Sequence, residues 1–341
     1  MIAYLSAALD RYNMRMSLRG MDGDLTQIRS LHKEGVRSPS IPKPWEVSIA
    51  APTGFTWPDG SRLALSIVVN VEEGAEQNIR DGDKGPEVVD ELSAIPRQPI
   101  RAYANESNYA YGINAGAPRI LKLLRNYGVQ ATATAAALAL ERAPQVAAQL
   151  VADGHEVCCH GWRWEQQFAM DEDQERDFIR KGWQSIERTT GQRPLGWLSR
   201  YLHTANTRRL LLEEGYSYHM DDFSDDFPFW DSVDMADGAK RPLVILPYAL
   251  DTNDMKMWVT PALTPRDWLQ YAIDTFDWLY AEADSEGARM MSLGLHLRII
   301  GRPGRTTALK AFLDHVKSKS DVWIASRAKI AAAFADAVPA P

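Results

Sequence analysis

Residues 153–164 read DGHEVCCHGWRW. Their middle, His155-Glu156-Val157-Cys158-Cys159, has the length and apolar density of a short buried strand, and His160 falls at or just past its C-terminal end. In parallel α/β proteins that edge of the sheet is where ligands bind. Two other segments end the same way. Residues 63–71 (LALSIVVNV) run into Glu72-Glu73-Gly74, and residues 291–295 (MSLGL) run into His296. Two carboxylates and two histidines at strand ends are the parts needed for hydrolysis, with or without a metal.

Working outward, strand-like and helix-like segments alternate. Residues 116–127 (GAPRILKLLRNY) form an amphipathic helix stopped by Gly128. A strand is expected at 129–133, a helix at 144–152 and a long charged helix at 171–190. Asn206 is read as the N-cap of a helix ending at Gly215. Short strands follow at 217–220 and 243–246. Thr264-Pro265 opens a helix running to about residue 283. A strand at 289–295, a helix after Gly304, a strand at 322–325 and an alanine-rich helix complete the series. The alternation predicts a mainly parallel, barrel-like α/β fold, as a single domain over residues 59–341. Residues 1–58 are rich in Arg, Ser and Pro. They read as an N-terminal extension packing on the surface and entering the core through a turn at Pro58-Asp59-Gly60. Met14, Met16 and Met21 offer alternative translation starts. Residues 72–116 read as a long irregular segment, whose tyrosines and glycines suggest an ordered loop over the strand ends.

Composition narrows the function class. The chain has 341 residues, 45% hydrophobic and 24% charged, as expected of a soluble globular protein. A formal net charge of -7 argues against a nucleic-acid partner. The two cysteines are adjacent, so they read as small buried hydrophobes, and such sparse use fits a reducing compartment. No run approaches the roughly 20 apolar residues of a membrane span. The start lacks a basic leader and a cleavage site, so a cytoplasmic protein without a membrane partner is expected.

Of the chemical groups, Glu72 and Glu73 offer a general base and a metal ligand or substrate anchor. His160 is the candidate for catalysis or metal binding, whereas His155, at the start of its strand, reads as structural. The turn Gly161-Trp162-Arg163-Trp164 suits a planar polar ligand. Arg200, Tyr201 and His203 precede a helix start, which favours an oxyanion nearby. Residues 221–226 (DDFSDD) lack a calcium spacing and read as a solvated loop. Residues 247–254 (PYALDTND) again put polar groups after a strand, and His296 with Arg298 is the last such site.

Together these segments resemble the polysaccharide deacetylase superfamily. Glu72-Glu73 stands at that superfamily's acidic pair, His160 at its first metal histidine and His296 in its late Leu-x-His element. Departures are visible: the pair is Glu, not Asp; Trp164 stands four after His160, where a second histidine belongs; and residues 197–204 (WLSRYLHT) replace an Arg-Pro-Pro-Tyr element. These departures resemble one branch, the metal-independent bacterial allantoinases and the related cyclic imide hydrolases. The segments NVEEGAE, ESNYAYG, ADGHEVCCHGWRW, NTRRLLLEEG, DDFPFW, PYALDTNDM and GLHLRIIGRPGR carry the likeness. Tyr201 and His203 stand where small polar residues are usual, Glu165-Gln166 where Ile-Asp is, and Cys159 where a serine is common.

The resemblance implies a distorted (β/α) barrel of the polysaccharide deacetylase type, with an N-terminal extension. It implies hydrolysis of a non-peptide C–N bond in a cyclic amide, ureide or imide, as in purine or ureide catabolism. Glu72 or Glu73 would be the base, His296 the acid for the leaving nitrogen, and His160 a further catalytic residue. Arg163, Arg200 or backbone N–H groups would stabilise the oxyanion. Tyr109, Trp162 and Trp164 would hold a flat ring, with Glu106 and His203 also at the substrate and Arg298 at the product carboxylate. No cofactor is expected. A zinc ion, if bound, would take Glu73 and His160, with His203 as a third ligand. Competing readings are a metal-dependent carbohydrate N-deacetylase and a ligand-binding relic. A homotetramer is the assembly implied.

Overall fold

The computed structural model describes residues 51–87, 91 and 99–341. The expected N-terminal extension therefore lies outside the described residues up to position 50. The strands, in chain order, are β1 (Leu63–Val71), β2 (Thr132–Ala135), β3 (Glu156–Cys159), β4 (Gly196–Trp197), β5 (Tyr218–His219), β6 (Phe229–Asp234), β7 (Lys240–Ile245), β8 (Arg289–His296) and β9 (Val322–Ile324). They form one sheet in the order β6-β7-β5-β4-β3-β2-β1-β8, with β9 also paired to β1. Every pairing is parallel except β6 with β7. The segment after β7 returns to β8, where Asn253 bridges Gly294 in parallel, so the sheet curls into a distorted barrel. Gly294 is required there, because a Cβ would collide with the Asn253 side chain and the Tyr248 hydroxyl.

All of β1 is buried, as a central parallel strand covered on both faces must be. Its alternate residues serve two cores. Leu63, Leu65, Ile67, Val69 and Val71 pack with the helix-facing cluster, which includes Ile120, Leu124, Phe276, Leu309 and Phe312. Ala64 and Val68 pack with Trp57, Tyr218, Val244, Met290 and Ile330. The adjacent cysteines split the same way, Cys159 into the first cluster and Cys158 into the second, and both are free thiols. Within the second core lies Arg327. Its guanidinium donates to Ser292 Oγ at 3.0 Å, to the Pro247 carbonyl at 2.7 Å and to the Leu246 carbonyl.

Strand register sets the level of each candidate group. Val71 pairs with Ala135 and Ala135 with Cys159, so the next residues, Glu72 and His160, emerge at one level. Asn70 pairs with His296, which brings the end of β8 alongside. The helices Glu172–Thr190 and Pro265–Ser285 start where expected, each with a capping box, at Asp171 and Thr264.

Four expectations need correction. Residues 72–116 are not all loop: Tyr103–Tyr111 is a helix, continued by a π-turn over Gly112–Gly116. Its apolar periodicity is weak, but the burial of Asn105 and Tyr109 holds it in place. Second, the chain makes an antiparallel β6–β7 pair where only one strand was read. Third, Asn206 occupies the N-cap position of Thr207–Glu213 without capping it; its side chain accepts from Arg209 Nη2 at 3.3 Å. Fourth, Trp57 is not on the surface. It is buried, stacked on Trp323 at 5.9 Å, and its indole N–H donates to the Arg289 carbonyl at 2.8 Å. Among the described residues no helix is long and apolar enough to cross a membrane.

Candidate active site

The ends of β1, β3 and β8 converge on the carboxylate of Glu72. His160 Nε2 lies 3.2 Å from Glu72 Oε1, and His296 Nε2 lies 3.8 Å from Oε2. Arg298 Nη1 donates to Oε2 at 2.8 Å. All four side chains are buried. Burial alone would raise the Glu72 pKa, but His296, the His160 hydrogen bond, Arg298 and Arg200 outweigh it and hold the carboxyl well below its ordinary range. Glu72 is therefore an anion at neutral pH.

Glu73 has a different environment. Its Oε1 accepts the Arg298 backbone N–H at 3.0 Å and its Oε2 accepts the Glu72 backbone N–H at 3.1 Å. Gly112 packs so close that a Cβ there would fall on the Glu73 carboxylate. Burial dominates its titration. Arg298 opposes the burial term and the Glu72 charge adds to it, so the pKa is pushed up to about 7. Glu73 thus braces the backbone on either side of the cluster, while Glu72 faces it.

His296 has its ring fixed from behind by Asp254, a residue that strand-end logic did not single out. The Asp254 Oδ1 accepts from His296 Nδ1 at 2.7 Å. Its Oδ2 accepts the backbone N–H groups of His296 and Ile300 at 2.7 and 3.1 Å. That contact sets the tautomer and leaves Nε2 facing Glu72. Burial would lower the His296 pKa, but Glu72 and Asp254 together raise it above the ordinary histidine value. His160 donates Nδ1–H to the Leu198 carbonyl at 2.7 Å, which aims its Nε2 at Glu72. Beneath the site, Asn70 joins the surrounding strands. It accepts from Thr134 at 2.6 Å and donates to Tyr248 at 2.9 Å and to the Leu295 carbonyl at 3.0 Å.

Two of the three expected aromatics line this cluster. Tyr109 and Trp164 meet edge to face at 5.8 Å, and both are buried. The Arg298 guanidinium lies 4.7 Å from the Tyr109 ring centre, and that of Arg200 lies 3.9 Å from the Trp164 ring. Among the described residues, Arg200 Nε is buried without a hydrogen-bond partner, so this cation has capacity to spare for a ligand. Trp162 is elsewhere: after the turn at Gly161 (φ 77) its ring carries Lys181 Nζ at 3.1 Å and its N–H reaches Glu141 at 3.4 Å. Arg163 Nη2 donates to Asp83 at 2.5 Å and to the Glu76 carbonyl at 3.2 Å, which anchors the loop after β1. Glu106 is held by Arg101 through two bonds of 3.0 and 2.7 Å on a partly exposed helix start. His203 stands against His219 and Asp221, not with His160.

The donor set does not suit the metal that the sequence reading allowed. Glu72, not Glu73, faces His160, and Arg298 already occupies Glu72 Oε2. Trp164, four residues after His160, offers no ligand. Among the described residues, the His, Cys, Asp and Glu side chains whose ligand atoms gather in a group of three within 4.8 Å are His203, His219 and Asp221. A three-ligand zinc site at His160 is not formed by these residues.

The chain is similar to known proteins over most of its length. The polysaccharide deacetylase family matches residues 107–219. The crystal structure of Puue allantoinase superposes with a TM-score of 0.79 at 39% identity, over 87% of this chain and 100% of that one. A probable polysaccharide deacetylase from Pseudomonas aeruginosa PAO1 gives a TM-score of 0.78 at 41% identity, over 84% of this chain and 95% of that one. A Schizosaccharomyces pombe protein named for polysaccharide deacetylase activity is 35% identical over 294 residues, 82% of this chain and 92% of that protein. With the curled parallel sheet and these likenesses over 82–87% of the chain in agreement, the chain belongs to the polysaccharide deacetylase family of hydrolases, and its likeness to an allantoinase supports the allantoinase-like branch.

Proposed function

We propose that the protein opens a small cyclic amide, ureide or imide by hydrolysis of a ring C–N bond, without a metal. The observation that carries this reading is the Glu72 carboxylate set between two imidazoles and Arg298, where a metal-dependent enzyme would need free ligands. The ionised Glu72 takes a proton from a water as that water attacks the ring carbonyl. Charge developing on the carbonyl oxygen is met by Arg200, whose Nε has no partner among the described residues. His296, whose pKa Glu72 and Asp254 raise, gives its Nε2 proton to the leaving nitrogen as the C–N bond breaks. The products are a carboxylate and an amine or ureide nitrogen, and the arginines suit the carboxylate. Tyr109 and Trp164 supply flat walls for a planar ring.

Glu73 acts as a positioning residue in this scheme, because both its oxygens are bonded to backbone N–H groups. His160 orients Glu72. The test is turnover of a ring panel by chelator-treated protein, alongside the Glu72→Gln variant. Ring opening that survives chelation and falls by about 10²–10⁴ in the variant supports the reading. Zinc-dependent release of acetate from N-acetylated sugars, with no ring opened, would favour an N-deacetylase instead.

A further inference from the structure

We propose that His203, His219 and Asp221 form a binding site for one divalent transition metal, with zinc as its representative. The site lies where the segments after β4 and β5 meet, and it is separate from the Glu72 cluster. One ligand atom from each residue lies within 4.8 Å of the other two. His219 Nε2 and Asp221 Oδ2 are already 2.6 Å apart. A tetrahedral zinc with bonds of about 2.0–2.2 Å holds its donors roughly 3.3–3.6 Å apart, so this hydrogen-bonded pair must part by about 1 Å to admit the ion while His203 closes in. His203 is free to do so. It is exposed, stands edge-on to His219 with ring centres 5.2 Å apart, and neither ring nitrogen has a hydrogen-bond partner among the described residues.

The surroundings supply a second layer and a favourable field. The Ser199 backbone N–H donates to both Asp221 oxygens, at 3.1 and 2.9 Å, and so orients the carboxylate. One cation is close: Arg208 Nε lies 3.4 Å from His219 Nδ1. Its guanidinium is paired with Asp222 at 3.0 Å and Asp231 at 2.8 Å, so its charge is met by two carboxylates. The Arg208 contact opposes an Nδ1–H on His219 and so limits affinity without closing the site. A metal here would fasten residues 198–203, which carry Arg200, to the end of β5. Two neutral imidazoles and one carboxylate with an open fourth position suit zinc, cobalt(II) or nickel(II) over magnesium or calcium, which prefer all-oxygen shells.

The experiment uses the full chain, stripped with chelator, given zinc in equal amount, and freed of unbound metal by gel filtration. One zinc retained per chain is expected, and cobalt(II) in its place should give the visible absorption bands of a four-coordinate site. His203→Ala removes an exposed ligand that the fold does not need, and should weaken retention by about 100-fold or more. His160→Ala should retain zinc as the parent does. No retention by the parent chain, or equal retention by His203→Ala, would overturn the proposal, as would loss on His160→Ala alone. The readout is metal content, so the outcome does not depend on which substrate the Glu72 cluster takes.

Discussion

Replacing Glu73 by glutamine separates the two adjacent carboxylates by their energetics. In the folded protein the Glu73 carboxyl is pushed up to about 7, against 4.5 for a free glutamic acid. Between those values the folded state holds a proton that the unfolded chain has lost. The group's stabilisation is therefore fully present below 4.5 and is lost as pH rises through about 7. The displacement amounts to about 3 kcal/mol in all, of which about 2.5 kcal/mol falls between pH 5 and pH 8. Glutamine cannot titrate, so the variant lacks this slope. It also lacks one of the two acceptors, leaving the N–H of Glu72 or Arg298 unpaired at a cost of about 1–3 kcal/mol. The variant should thus be less stable than the parent at pH 5, and the gap should shrink by about 2.5 kcal/mol at pH 8. Urea unfolding of both proteins at the two pH values measures this directly. A gap that stays constant would refute the buried, proton-holding Glu73. Turnover should survive within about tenfold, since Glu72 carries the proton transfer; a loss of about 10⁴ would make Glu73 the base.

Other substitutions test the remaining parts. Asp254→Asn removes one of the charges that raise the His296 pKa, so the alkaline limb of the activity profile should move to lower pH and kcat should fall; an unmoved limb would separate His296 from that limb. Arg200→Met should lower kcat by about 10²–10³ with little change in thermal stability, and near-normal kcat would remove Arg200 from oxyanion stabilisation. Arg327→Leu leaves the Leu246 and Pro247 carbonyls without their donor and should destabilise the fold by about 2–4 kcal/mol, measured by chemical unfolding; an unchanged midpoint would contradict its role inside the barrel.

Much of this site could be read from the sequence because it sits where local patterns end. Glu72, His160 and His296 each follow an apolar strand, and a parallel sheet brings strand ends together without further instruction. Asp254 was less visible. It belongs to a connection that leaves β7 and crosses to β8, and its contact with His296 spans 42 residues. The polar run PYALDTND was its only signal. Choosing between Trp162 and Trp164 was beyond local reasoning too. The two rings are two residues apart, and what separates them is the company of Tyr109 and Arg200 on one side and Lys181 on the other. The partners of Arg163 and Glu106, Asp83 and Arg101, lie in an irregular stretch whose folding no periodicity announces. For His203, the nearby histidine and acid come from β5 and the loop after it, a pairing set by sheet order.

The most direct measurement is turnover of cyclic ureides and imides (allantoin, hydantoins, succinimide, glutarimide) by the chelator-treated protein, followed by loss of ring carbonyl absorption and by product carboxylate. Ring opening at an undiminished rate in metal-free protein, lowered by about 10²–10⁴ in Glu72→Gln, is the predicted result. Silence on every ring, with zinc-dependent deacetylation of an N-acetylated sugar in its place, would contradict the account.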